Sequence, residues 1–217
     1  IPQVVSSQKT HRNGTEQKFL MPRECPSCKS PTTRKPDESA VYCTNSSCPA
    51  QLVRLVEHFV SKSAMDVDGV GGKLGSSLIQ SGLISDVADI YTLRREDLVS
   101  LERMGEKSTS NVIEAIAASK ERPLSRLLVA LGISHIGTEV AENIANRFGT
   151  MDEIMKASLE SFTDIPDIGP KIAESITNYF QSTSNILLIH KLRLAGINMN
   201  ENSDIASSEP QVQVLRD

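Results

Sequence analysis

Four cysteines are the residues of this 217-residue chain whose type and spacing point most directly to chemistry: Cys25-x2-Cys28, a gap of fourteen, then Cys43-x4-Cys48. A tight turn between paired thiolates presents two sulfurs to one ion, and a second pair closes a tetrahedron. With four protein ligands no coordination position stays open, so the metal folds its surroundings and does no chemistry. The stretch 23–50 is poor in apolar residues, with Ala40, Val41, Tyr42 and Ala50 the main ones. It cannot hold a core by burial, and zinc supplies the missing free energy. The competing assignments are two disulfides or four unrelated buried thiols. The sequence shows no cationic head followed by an apolar run and a cleavage site, so we read it as cytoplasmic, where zinc is favoured over disulfides.

A second constellation is a repeat. Val67–Leu78, Leu101–Val112, Ile133–Ile144 and Ile165–Ile176 align without gaps. Each reads apolar, two variable residues, apolar, Gly, three residues, a small residue, two residues, apolar. The glycines at 71, 105, 137 and 169 are 34, 32 and 32 residues apart. This spacing predicts a helix opening at each glycine, with the glycine allowing a backbone that a side chain would hinder. The preceding apolar residue plugs the turn into the core. The small residue four positions on (Gly75, Thr109, Ala141, Ala173) lets two helices approach closely. Main-chain N–H groups at the helix start, with the positive end of the helix dipole, make a phosphate site needing little side-chain charge. The pattern is the helix-hairpin-helix motif, and four copies in register resemble the tandem arrays of DNA repair and joining proteins. A helical solenoid with glycines kept only for packing is the bland alternative.

The candidate contacts differ between repeats. The first offers Gly69, Gly71, Gly72 and Lys73; the second Arg103, Gly105, Lys107 and Ser108; the third His135, Gly137 and Thr138; the fourth Gly169 and Lys171. In the fourth, Asp167 repels phosphate and Pro170 removes a donor N–H, so it is expected to bind phosphate most weakly. His11, His58 and His190 read as packing or surface residues, and the paired acids Asp66/Asp68 and Asp164/Asp167 as helix caps. No Gly-x-Ser-x-Gly, His-Glu-x-x-His or phosphate-loop pattern occurs, so no catalytic residue is assigned.

The elements that carry these residues follow from composition. The chain is 39% hydrophobic but only 4% aromatic, with no Trp, so its core rests on Leu, Ile, Val and Ala, and base stacking on aromatic platforms and a Tyr/Trp-rich protein interface are both disfavoured. Net charge is −4, although residues 1–36 hold seven Lys/Arg against two Asp/Glu. A polyanion would therefore be held by local geometry rather than by a basic field. Residues 1–22 are expected to end a β element, with two strands closed at Asn13-Gly14, and the abrupt start at Ile1 suggests a fragment. Residues 23–50 form the four-cysteine module. Residues 51–199 form the helical array, beginning with the stripe Leu52, Leu55, Val56, Phe59 and Val60. Residues 200–217 read as an acidic, disordered linker. The longest apolar run, Leu127–Ile133, is far short of a membrane span.

That order of parts resembles the C-terminal half of bacterial NAD-dependent DNA ligases. The likeness covers nearly all of residues 1–200 and is carried by Cys25-Pro26-x-Cys28, Cys43-x4-Cys48-Pro49-Ala50-Gln51, Met65-Asp66-Val67-Asp68-Gly69-Val70-Gly71 and Leu101-Glu102-Arg103-Met104-Gly105-Glu106-Lys107-Ser108. It implies a mainly α fold: a β-hairpin remnant of an OB-fold at 1–22, the zinc module, the tandem array, and a linker toward a BRCT domain. It further implies a monomer, associated with the nucleoid, that clamps nicked double-stranded DNA during replication and repair. Its NAD and Mg would serve an adenylated lysine in a Lys-x-Asp-Gly motif. This chain has the single pair Asp68-Gly69, with Asp rather than Lys at 66, so the resemblance implies neither that nucleophile nor the NAD pocket here. The DNA-binding part of another repair protein, or a zinc-containing helical adaptor for proteins, are the alternatives.

Overall fold

The computed structural model describes residues 6, 8–17, 19–34, 39–45, 48–102 and 104–201. It divides into two compact units, Ile1–Cys48 and Pro49–Asp217.

In the first unit, the expected hairpin at the start is not formed among the described residues. Lys9–His11 is a single 3-10 turn, and Phe19 and Leu20 are 77% and 78% exposed. Two strands with nothing to bury against are marginal in water, and here Asn13-Gly14 closes only a local turn, with Asn13 Oδ1 accepting from the Thr15 N–H at 3.0 Å. Val4-Val5 lie outside the described residues. Among the described residues of this unit, regular pairing appears only beside the cysteines, as antiparallel β1 (Thr32–Thr33) and β2 (Tyr42–Cys43) with Thr32 opposite Cys43.

The second unit is helical: α1 (Pro49–Phe59), α2 (Gly72–Gln80), α3 (Arg95–Val99), α4 (Glu106–Ser119), α5 (Leu124–Ala130), α6 (Thr138–Phe148), α7 (Met151–Lys156), α8 (Leu159–Thr163), α9 (Pro170–Gln181) and α10 (Thr183–Leu194). Pro49 opens α1, where its missing N–H is no loss. Val56, Phe59 and Val60 of the predicted stripe are buried, whereas Leu55 is 45% exposed. The pairs α1/α2, α3/α4, α5/α6 and α8/α9 pack against each other, so each repeat is one helical hairpin. The core is aliphatic, as composition requires, with Phe59 and Phe162 its only fully buried aromatic rings among the described residues.

The last described residues are hydrogen-bonded to the helical unit. Asn198 N donates to Lys120 O at 2.8 Å, Leu124 N to Asn200 O at 3.2 Å, Met151 N to Met199 O and Glu201 N to Gly149 O, both at 2.9 Å. The Glu201 carboxylate accepts from Ser125 N at 2.8 Å and from its hydroxyl at 3.0 Å. It thereby serves the N-terminus of α5, where Pro123 stands at the cap and offers no side-chain acceptor. Asn200 and Glu201 thus belong to the helical unit, while the rest of the expected acidic linker, 202–217, lies outside the described residues.

Candidate metal centre and nucleic-acid interface

The thiol groups of Cys25, Cys28, Cys43 and Cys48 converge, all four sulfurs lying within 4.8 Å of one another. Cys25 Sγ is 3.8 Å from Cys48 Sγ, and Cys28 Sγ is 3.4 Å from Cys43 Sγ. No disulfide joins them. A tetrahedron with Zn–S bonds of about 2.3 Å has edges of about 3.8 Å, so the set fits zinc with little movement. A turn in which Lys29 N donates to Cys25 O at 2.9 Å, with Lys29 at φ +60°, brings the first pair together. The β1/β2 pairing brings Cys43 alongside. The Ser30 hydroxyl and amide lower the Cys28 thiol to about 6. At Cys43 the Asn45 amide pulls the thiol down, but desolvation and the neighbouring Cys28 and Cys25 sulfurs outweigh it and push it up to about 12. Crowded thiols cannot all ionise together unless a cation sits among them. Four sulfurs gathered about one point, rather than two separate pairs, fit a single tetrahedral ion and favour the metal assignment over two disulfides.

The four repeats share one geometry. In each, the residue before the central glycine donates its N–H to the apolar residue three positions earlier: Val70 to Val67 O at 3.4 Å, Met104 to Leu101 O at 3.2 Å, Ile136 to Ile133 O at 3.1 Å and Ile168 to Ile165 O at 3.2 Å. The central glycine is then the N-cap of α2, α4, α6 or α9. The residue four positions on is buried in every case, with Thr109, Ala141 and Ala173 at 0% exposure. Gly75 shows why it must be small: a Cβ there would lie 3.1 Å from Val56 Cγ1 of α1.

The expected reason for the central glycines is overturned. Gly71, Gly105, Gly137 and Gly169 have φ between −79° and −98° with extended ψ, a conformation open to any residue. A Cβ at each would meet nothing within 4 Å. All four are exposed. Their lack of a side chain serves neither backbone nor packing; it leaves the helix start uncovered toward solvent. The left-handed position lies two residues earlier, at Gly69 (φ +83°), His135 (φ +68°) and Asp167 (φ +65°). That need was legible only in the residue types tolerated there, since Gly and short or polar side chains are those that visit this region.

Lys73, Lys107, Ser108, His135, Thr138 and Lys171 are all exposed beside their turns, Gly69 is exposed, Gly72 is half-buried, and Arg103 lies outside the described residues. No side chain caps α2, α6 or α9 among the described residues, so their first amides stay open to a ligand. At α4 the Ser108 hydroxyl accepts from Gly105 N at 3.0 Å and donates to Gly105 O at 2.9 Å. Pro170 takes the first position of α9 and removes one donor from the fourth turn. The first turn borders a pocket of about 440 Å³ lined by Glu57, Lys62, Asp68 and Gly69–Gly72. There Glu57 Oε1 comes so near Gly72 that a Cβ would lie 2.5 Å from it; no sequence signal marked this carboxylate.

The remaining candidates resolve individually. His58 Nε2 is 2.7 Å from Val129 O, a packing role as read. Neither acid caps α2, whose N-cap is Gly71: Asp68 Oδ1 accepts from the Gly69 amide at 2.9 Å within the turn, and the Asp66 carboxylate is paired with Arg122. No helix among the described residues is long and apolar enough to cross a membrane.

Comparison with known proteins agrees with this geometry segment by segment. Residues 24–50 match the family described as the NAD-dependent DNA ligase C4 zinc finger domain. Residues 61–118 match a SAM-like helix-hairpin-helix tandem, and 126–189 a helix-hairpin-helix motif. Proteins named DNA ligase from Thermoanaerobacter sp. (strain X514) and Halothermothrix orenii are 49% and 46% identical over 94% of this chain. One from Desulfitobacterium hafniense (strain DSM 10664 / DCB-2) is 42% identical over 98% of it. The chain spans about a third of the length of these relatives, 31% to 32%.

Proposed function

We propose that this chain is a zinc-finger and helix-hairpin-helix segment of an NAD-dependent DNA ligase and that it grips double-stranded DNA around a nick while the rest of a longer polypeptide seals it. The observation that carries this reading is the set of helix starts at Gly71, Gly105 and Gly137, where nothing in the fold forbids a side chain, uncapped at Gly71 and Gly137 and with the Ser108 hydroxyl on the Gly105 amide. A phosphate oxygen approaching there meets consecutive main-chain donors and the positive end of a helix dipole. Lys73 and Lys107 lie exposed beside the first two starts and add charge at short range. Contacts of this kind read the backbone and not the bases, as a protein that must close any nick requires.

The zinc contributes folding free energy to the first unit and takes no part in the reaction. NAD, Mg and an adenylated lysine, which the resemblance implies for the whole enzyme, are assigned to no residue of this chain, and the segment alone is expected to form no adenylate. We place the working protein in the cytoplasm, on the nucleoid, as a monomer.

The test is equilibrium binding of the zinc-loaded chain to nicked, intact and single-stranded oligonucleotides over a range of salt. Tighter binding to the nicked duplex, with a slope corresponding to several phosphates, supports the reading. A folded, zinc-loaded chain with no affinity at low salt refutes it in favour of a protein-binding adaptor.

A further inference from the structure

Two arginines flanking Pro123 reach back across the helical unit to the segment that feeds the first turn. Arg126, on α5, donates from Nε to Ala64 O at 2.7 Å and from a terminal nitrogen to Lys62 O. Arg122 donates to Asp66 Oδ2 at 2.7 Å. Asp66 is a non-glycine residue at φ +54°, a conformation that persists only where its surroundings hold it. The held segment runs straight into Val67, the first residue of the first helix-opening turn. In the other direction α5 runs through Gly132 into Ile133, the first residue of the third turn. The arginines therefore join the stem of one turn to the stem of another, 56 and 62 residues away in sequence. The other long-range ion pairs among the described residues, Lys191 with Asp86 and Asp89 and Arg193 with Asp152, tie α10 to its neighbours and lead into no turn.

We propose that Arg122 and Arg126 are positioning residues that fix the first turn relative to the third and so set the spacing of two phosphate-binding turns on one duplex. The proposal rests on the reading of those turns as phosphate sites. The Arg126 guanidinium donates to two main-chain carbonyls and Arg122 pairs with a carboxylate, so each acts through the protein. A planar fork bridges carbonyls two residues apart, which the point charge of lysine does not. Two sites on a rigid body engage the same duplex at high effective concentration; loosening the link lowers that concentration while leaving each site intact.

The test measures duplex affinity by fluorescence anisotropy for Arg126→Lys and Arg122→Lys, each alone and combined with Gly71→Val. In the parent background each lysine substitution should weaken binding on the order of threefold to tenfold, although charge is kept. In the Gly71→Val background it should change nothing, because the position of a disabled turn no longer matters. Amide hydrogen exchange should rise across 62–71 and stay unchanged in α9. Equal loss in both backgrounds, or no loss in the parent, overturns the proposal. Were Gly71→Val to bind like the parent, the phosphate-site reading would fail and take the proposal with it. Arg122→Lys, at a half-exposed ion pair, keeps the test open should Arg126→Lys fail to fold.

Discussion

Gly69 and Gly71 stand two residues apart in one turn, and valine at each should produce opposite phenotypes. At Gly69 the backbone is left-handed (φ +83°), and a Cβ would lie 2.8 Å from Val112 Cγ2 of α4. Left-handed strain of about 1–2 kcal/mol adds to about 1–3 kcal/mol for a side chain forced into packed space. A loss of about 2–5 kcal/mol is expected, a fall in melting temperature of roughly 4–20 °C at this size. At Gly71 the backbone is extended and the space beyond Cα is open. A valine at an N-cap loses about 1 kcal/mol or less relative to glycine, and the stiffer unfolded chain returns about 0.4–1 kcal/mol. Stability should therefore stay nearly unchanged. Affinity should not: blocking one charge-assisted contact of about 1.5–3 kcal/mol weakens duplex binding roughly tenfold to hundredfold. Thermal melting followed by circular dichroism, with anisotropy on a labelled nicked duplex at fixed salt, reads both. If Gly71→Val melts as early as Gly69→Val, or binds as tightly as the parent, the assignment of the central glycine to ligand access is wrong.

Gly169→Val should weaken duplex binding less than Gly71→Val or Gly137→Val, since Pro170 already removes a donor and Asp167 stands beside the turn; equal losses in the same binding assay would reject the ranking. The chain should carry one zinc, measured by metal release against protein concentration, and chelation should unfold residues 23–48 while the melting of the helical unit is kept, because that unit's core contains no cysteine. Glu201→Gln should cost about 1 kcal/mol through the weakened N-terminus of α5, and a melting temperature unchanged from the parent would contradict the capping role. Burial would raise the Asp89 carboxyl, but the Ser85 hydroxyl and amide, the Asp86 amide and Lys191 outweigh it and hold it below the usual 3.8. Its contribution is thus complete above that value and disappears as pH falls through the lowered one. Asp89→Asn should flatten that part of the acid limb of the melting curve, and an identical limb in the variant would show that Asp89 does not drive it.

The metal centre was legible because its information is local: paired cysteines on short turns converge whatever surrounds them, and their sulfurs do converge here. The helix starts at Gly71, Gly105, Gly137 and Gly169 were legible for a related reason. Four copies of one period repeat the same turn hydrogen bond, and repetition raises a weak local signal above chance. At the start of the chain Asn13-Gly14 makes the local turn its residue types favour, and Val4-Val5, one strand of the expected hairpin, lie outside the described residues.

By itself, then, the sequence determined where helices open, which residues plug the turns and which sulfurs share an ion, because each depends on neighbours a few positions away. Tertiary structure decided the rest. It assigned the left-handed backbone to positions 69, 135 and 167 and left the central glycines unhindered. It turned Glu201 into a cap for α5 and drew Arg122 and Arg126 back to the first turn. These are contacts between residues 56 to 76 positions apart, and no periodicity encodes them; they exist only once packed helices bring distant donors and carbonyls within 3 Å.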